Sequence, residues 1–170
     1  MPGIRMPVWR HPGPWLFALL LCLAGASWGQ APGELAVSGE GFAARTITAA
    51  ELAALPRVTV QTKTSNGVVN YEGVALFELL KFAKAPLQGE IRGDKLRLIV
   101  VAKAADGYRV VFALAELDPS IAPGTVIVAD RRDGQPLPAA EGPLRIVAPG
   151  DKRPARSARQ VQSITLKRVE

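Results

Sequence analysis

Residues 142–151 read Gly142-Pro143-Leu144-Arg145-Ile146-Val147-Ala148-Pro149-Gly150-Asp151, a short apolar strand fenced by Gly-Pro on one side and Pro-Gly-Asp on the other. Gly and Pro restrict where the backbone bends, so both ends of this strand are specified locally. One arginine interrupts the apolar run, and the basic residues Lys152, Arg153, Arg156 and Arg159 follow it. An arginine held on a rigid element suits planar or phosphate-bearing anions. On this stretch alone, however, a core strand whose arginine reaches out to solvent is the favoured reading.

Upstream, the first residues read as an export signal rather than as part of the fold. Arg5, Arg10 and His11 form a basic start, residues 15–24 (WLFALLLCLA) an apolar run, and residues 25–31 (GASWGQA) a small-residue segment. This is the secretory pattern, assigned to residues 1–29 with cleavage near 29–31. The apolar run falls short of the roughly 20 residues a bilayer span needs. The expected product is a periplasmic protein with no membrane span once the signal is cleaved.

Removing that segment changes the chemistry available. The only Cys (Cys22), the only His (His11), all three Trp and both Met lie within it. The remainder has no thiol or imidazole, which excludes cysteine nucleophiles, Ser-His-Asp triads, disulfides and thiolate or imidazole metal sites. Without Arg5 and Arg10, the 21 basic residues become 19 against 15 acidic ones, a net charge near +4. That modest excess, together with export, argues against nucleic acid and for an anionic small molecule or an acidic protein face.

The rest of the chain alternates strands and short helices. Leu35 to Gly39 opens as a strand. Arg45 to Pro56 reads as a helix with Thr48 as N-cap, Glu51 closing a capping box, and Ile47 and Leu52 forming a hydrophobic staple. Val58, Val60, Thr62 and Thr64 share one parity, so this is a half-buried strand; Asn66-Gly67 turns it and residues 68–71 return. Leu76, Leu79, Leu80 and Ala83 give helical spacing over Val74 to Ala85. Residues 95–103 (KLRLIVVAK) are expected to form the central strand. Asp106-Gly107 turns it into residues 108–113, with Tyr108, Val110 and Phe112 on one face. Residues 115–118 form a turn of helix, residues 125–130 a strand, Asp133-Gly134 a turn, and residues 160–169 a closing strand. In that last strand Val161, Ser163 and Thr165 alternate with Gln162, Ile164 and Leu166. Many strands joined by hairpins, with few helices, define one α+β, β-rich mixed-sheet domain over residues 33–169.

The order of these signals resembles the oxidoreductase molybdopterin-binding domain, the sulfite-oxidase fold. The resemblance rests on Tyr71-Glu72-Gly73-Val74-Ala75-Leu76 with Leu79-Leu80, on Ala105-Asp106-Gly107-Tyr108, on Asp133-Gly134-Gln135-Pro136-Leu137, and on residues 142–150. Enzymes of that family hold molybdenum through a cysteine near the strand that resembles residues 57–65. Here the strand offers Thr62, Thr64 and Ser65 instead, and hydroxyls replace a soft thiolate poorly. The chain therefore resembles the small exported subgroup that lacks this cysteine and binds a reduced pterin without metal. Some of that subgroup regulate a membrane signalling enzyme.

The resemblance implies a non-catalytic, exported protein that binds a pterin or molybdopterin-like ligand, with no molybdenum cofactor, and docks on a membrane-bound partner protein. One alternative is a molybdenum-cofactor-dependent oxidoreductase of the sulfite-oxidase type. Another is a protein-interaction module without a ligand. A pterin needs a carboxylate for its guanidine-like edge and a flat surface to stack on. Asp106, Asp130 and Asp133 are the candidate carboxylates, and Tyr71 and Tyr108 the candidate aromatics. Arg145 and Arg156 are the cations the resemblance assigns to the ligand's phosphate. Each has a plainer reading: Asp106 is the acid of a favoured Asp-Gly turn, the tyrosines are packing, and the arginines belong to a solvated basic loop.

Overall fold

The computed structural model describes Gly3, residues 33–65 and residues 67–170. The expected signal segment, Gly3 apart, and Asn66 of the expected Asn66-Gly67 turn lie outside the described residues. In chain order the elements are β1 (Leu35–Gly39), β2 (Phe42–Ile47), α1 (Ala49–Ala54), β3 (Arg57–Thr64), β4 (Gly67–Ala75) and α2 (Leu76–Phe82). There follow β5 (Leu98–Ala104), β6 (Arg109–Ala113), α3 (Leu114–Leu117), β7 (Ile127–Arg132), β8 (Gln135–Pro136), β9 (Arg145–Val147) and β10 (Val161–Arg168). They build two sheets. The first has the order β2-β1-β10-β5-β6, and the second runs β3-β4-β7-β8 with β9 also paired to β7. The β1–β10 pair is parallel and the others are antiparallel, so the fold is the expected α+β, mixed-sheet, β-rich one.

Both sheets face one apolar core. The first contributes Leu35, Val37, Val100, Phe112, Ile164 and Leu166, the second Val74, Val128 and Ile146, and α2 closes it with Leu76, Leu79 and Leu80. The opposite face of the second sheet carries a smaller cluster of Val60, Val69, Tyr71, Ile127, Ala129 and Val147. A β-strand shows alternate residues to opposite faces, so one sheet serves both clusters.

The strand at residues 145–147 joins the two sheets. It pairs with β7 through Ile127–Val147, Val128–Ile146 and Ala129–Arg145. On its other side the Ile146 amide donates to the Ala158 carbonyl at 2.9 Å, and the Val161 amide donates to Leu144 at 2.9 Å, just where β10 begins. Few local signals are so compactly bounded. The Gly-Pro and Pro-Gly fences hold the strand to three residues.

Several boundaries differ from expectation. The helix expected over residues 45–56 is confined to Ala49–Ala54, because residues 42–47 pair with β1 as an antiparallel strand. Its capping box is formed as anticipated, with the Glu51 amide donating to Thr48 Oγ1 at 3.2 Å and the Thr48 amide donating to Glu51 at 2.9 Å. Val74 and Ala75 belong to β4 rather than to the helix, since β7 pairs with them. Residues 93–97 form a 3-10 turn, and β5 begins only at Leu98. The central strand of the first sheet is β10, with β5 beside it. A register shift between Val161 and Ser163 breaks the expected alternation in β10, so Val161, Ile164 and Leu166 are all buried. Tyr108 precedes β6 and is exposed, whereas Val110 and Phe112 face the core.

One close approach fixes the second sheet. At the register shift between Glu72 and Gly73, a Cβ on Gly73 would stand 2.0 Å from the Val128 carbonyl oxygen. Only glycine permits the strands to meet there.

Candidate functional site

A cleft of about 790 Å³ opens on the face of the second sheet that turns away from the main core. Its walls come from the end of β3 and the turn after it (residues 61–65), from Tyr71 of β4, Arg132 of β7 and Arg145 of β9, and from the loop that follows β9. Cross-strand registry supplies one row, with Tyr71 between Val60 and Arg132, while Arg145 lies opposite Ala129. The size falls within the range of roughly 300–1,000 Å³ common for small-molecule sites.

A charged network lines the cleft. Glu141 receives a hydrogen bond from Arg145 at 2.6 Å, from Arg132 at 2.9 Å and from the Tyr71 hydroxyl at 3.2 Å. The Arg145 guanidinium also lies over the Tyr71 ring, 5.1 Å from its centroid. The Glu141 and Arg145 side chains are only 15% and 14% exposed. Burial alone would raise the Glu141 carboxyl, but the hydrogen bond and charge of Arg145 and the charge of Arg132 hold it below its ordinary range. Burial pushes the Tyr71 phenol up, against the pull of the Arg145 charge. Arg145 Nε is buried without a hydrogen-bond partner. It faces protein on every side.

The cleft carries four cations, Lys63, Arg132, Arg145 and Lys152, against Glu141 and Asp151. Glu141 occupies Arg132 and Arg145, and Arg156 clamps Asp151 at 2.7 and 2.9 Å. Lys63 and Lys152 stand exposed at the rim without an ion pair among the described residues. The charge free to meet a ligand is therefore cationic and lies at the rim.

The five site residues expected from sequence divide among three concavities. Tyr71 and Arg145 come together in the large cleft. Asp106 and Tyr108 line a separate hollow of about 370 Å³. There Asp106 Oδ1 accepts the Tyr108 amide at 2.8 Å, and the Tyr108 hydroxyl donates to the Ala155 carbonyl at 2.8 Å. Arg156 lines a third hollow of about 210 Å³, bonded to Asp151 and, at 2.9 Å, to Glu116, with its guanidinium 4.7 Å above the Phe112 ring. The partners of Arg156 raise its pKa, most of all the hydrogen bonds with Asp151, and the same contact lowers that of Asp151. Of the other candidate acids, Asp130 forms a fork with Arg57. Asp133 accepts the Asn70 amide at 3.0 Å, at a turn where its φ is 49°. Arg153 and Arg159 are exposed.

Glu141 is the residue that sequence reasoning missed. It lies in a Pro-rich loop between Gly134 and Gly142, where it is the only charged residue. That isolation, four positions before Arg145, is the signal that marks it. The carboxylates of the cleft are thus Glu141 and Asp151 rather than Asp106, Asp130 or Asp133.

The molybdenum centre that the fold resemblance implies does not fit these donors. The residues of β3 at the cleft offer hydroxyls and an amine, and no Cys or His lies among the described cleft residues. Among the described residues no group of three or more His, Cys, Asp or Glu is placed to hold a metal. No described helix is long and apolar enough to cross a membrane.

No family model and no curated protein matches the chain. A solved structure does: the sulfane dehydrogenase SoxCD from Paracoccus pantotrophus superposes with a TM-score of 0.60 at 18% sequence identity, covering 79% of this chain. This chain spans 38% of the length of that one. At such identity the likeness is one of fold alone, and it extends over the two-sheet architecture.

Proposed function

We propose that this protein is an exported, non-catalytic binding protein for a pterin or molybdopterin-like ligand, and that it acts in the periplasm as a regulator of a membrane-bound partner. The observation that carries this reading is the cleft itself. It has small-molecule size, a buried tyrosine, and unpaired lysines at its rim, yet it lacks the soft donor a molybdenum thiolate site requires. Lys63 and Lys152 suit the anionic group of such a ligand. Tyr71, Arg132, Glu141 and Arg145, bonded to one another, form the floor against which a heterocycle would lie.

The test is what the protein holds and takes up. Protein isolated from its own cells, analysed by fluorescence and mass spectrometry, is expected to release a pterin. The purified protein is expected to bind members of a panel of reduced and oxidised pterins. A double Lys63→Ala/Lys152→Ala variant should bind at least tenfold more weakly with an unchanged melting temperature. Absence of binding across the whole panel would overturn the reading. Stoichiometric molybdenum in protein from molybdate-fed cells would replace it with the oxidoreductase alternative.

A further inference from the structure

The first sheet buries one face in the core; on the other, Lys103, Arg109, Val111, Ala113 and Lys167 are exposed and the central positions half-buried. Cross-strand registry over four strands defines that outer face. One row reads Ala36, Ser163, Lys103, Arg109; the next Ser38, Thr165, Val101, Val111; the third Lys167, Ile99, Ala113. None of these residues is acidic. Lys103 and Arg109 stand directly opposite each other on adjacent strands, an arrangement that like charges disfavour. Among the described residues neither of them, nor Lys167, takes part in an ion pair. Between the two charged rows lie Val101 and Val111, the latter 46% exposed, and Ile99 stands opposite Lys167.

Most other arginines among the described residues have carboxylate partners, as Arg45, Arg57, Arg132, Arg145, Arg156 and Arg168 show. The unneutralised cross-strand pair of Lys103 and Arg109 departs from that arginine pattern. We infer that this face of β5, β6 and β10 docks an acidic protein surface, with carboxylates meeting Lys103 and Arg109 at one end and Lys167 at the other, and apolar side chains covering Val101 and Val111 between them. Four residues of strand separate the two charged ends, about 13 Å at roughly 3.3 Å per residue. That spacing sets the separation of carboxylates the partner must present. A second copy of this chain does not fit, because two such faces repel. A lipid surface fits less well, since the face offers no aromatic side chain of the kind that anchors at a bilayer interface. The inference stands apart from the pterin reading, because it concerns the opposite sheet.

Carbodiimide coupling, which joins a lysine amine to a carboxylate touching it, tests this on the full-length protein in extracts of its own cells, with the joined peptides mapped. The expected result is coupling of Lys103 and Lys167 to Asp or Glu of a single protein. Coupling through Lys167 should fall at least tenfold in Lys103→Glu, and coupling through both lysines should fall as far in Arg109→Glu and in 0.5 M salt. Lys103→Glu should melt no lower than the parent, because it places a carboxylate opposite Arg109; this separates lost docking from lost folding. Coupling that maps only to other lysines, that survives charge reversal, or that is absent overturns the inference. Sedimentation with phosphatidylglycerol-containing vesicles that depends on Lys103 assigns the face to a membrane and overturns it as well.

Discussion

Glu141→Ala removes the one carboxylate that three side chains share. The variant leaves Arg145 and Arg132 facing each other across the floor of the cleft, with Arg145 only 14% exposed and its Nε already unpartnered. Breaking a fully buried charge pair costs about 3–5 kcal/mol. A hydrogen bond to a charged group contributes about 1.5–3 kcal/mol. Arg132 is one-third exposed, which screens its share. The expected loss is therefore about 2–4 kcal/mol, or roughly 6–12 °C for a loss near 3 kcal/mol in a chain of this size. Glu141→Gln keeps an acceptor of the same shape and should lose about half as much. Thermal melts by circular dichroism, with urea titrations to confirm a constant slope, measure both. The pH dependence supplies the sign. Because the Glu141 carboxyl is lowered in the folded protein, its contribution is complete above the ordinary carboxylate range and is lost as pH falls through the lowered folded value. The difference between parent and Glu141→Gln should accordingly shrink on acidification. A loss below 1 kcal/mol in Glu141→Ala, or a difference that grows with acid, refutes the network as the support of the cleft floor.

Gly73→Ala drives a methyl to 2.0 Å from the Val128 carbonyl and 2.6 Å from Ala129 Cα, so it should cost about 3 kcal/mol or more and show as a lower urea midpoint or loss of soluble protein. Thr48→Ala removes the α1 cap and should cost about 1 kcal/mol, measured by the same titration. Arg156→Lys keeps the charge but loses the fork on Asp151, and at its partial exposure should cost about 1 kcal/mol. In that variant the acid-induced loss contributed by Asp151 should be smaller, because Arg156 is the main cause of its lowered pKa.

Local chemistry explains what the sequence made legible. The Thr48–Glu51 box, the Asp106-Gly107 and Asp133-Gly134 turns and the fenced strand at residues 145–147 depend on neighbours a few positions away, and all are formed. Long-range pairing explains the departures. Residues 45–47 and 74–75 carry helix-compatible side chains, yet β1 and β7 claim their backbones. The same holds at the site. Arg145 was legible as an anion contact, but the anion bound to it is Glu141, brought there by a loop that periodicity cannot place. The series of motifs groups Asp106 and Tyr108 with Tyr71 and Arg145 as ligand candidates. The first sheet carries them to a hollow of their own. Motif order encodes the fold; which motifs share a cavity depends on the packing of the sheets.

The double pairing of residues 145–147 has a kinetic corollary. The Ile146 and Val161 amides are bonded across the joint between the sheets, and β7 holds the strand from its other side. The two sheets cannot separate at this point without rupturing that joint, so the Ile146 and Val161 amides should be among the slowest to exchange and should be protected together. A ligand held against the loop that follows would protect amides in both sheets at once, including some far from anything it touches.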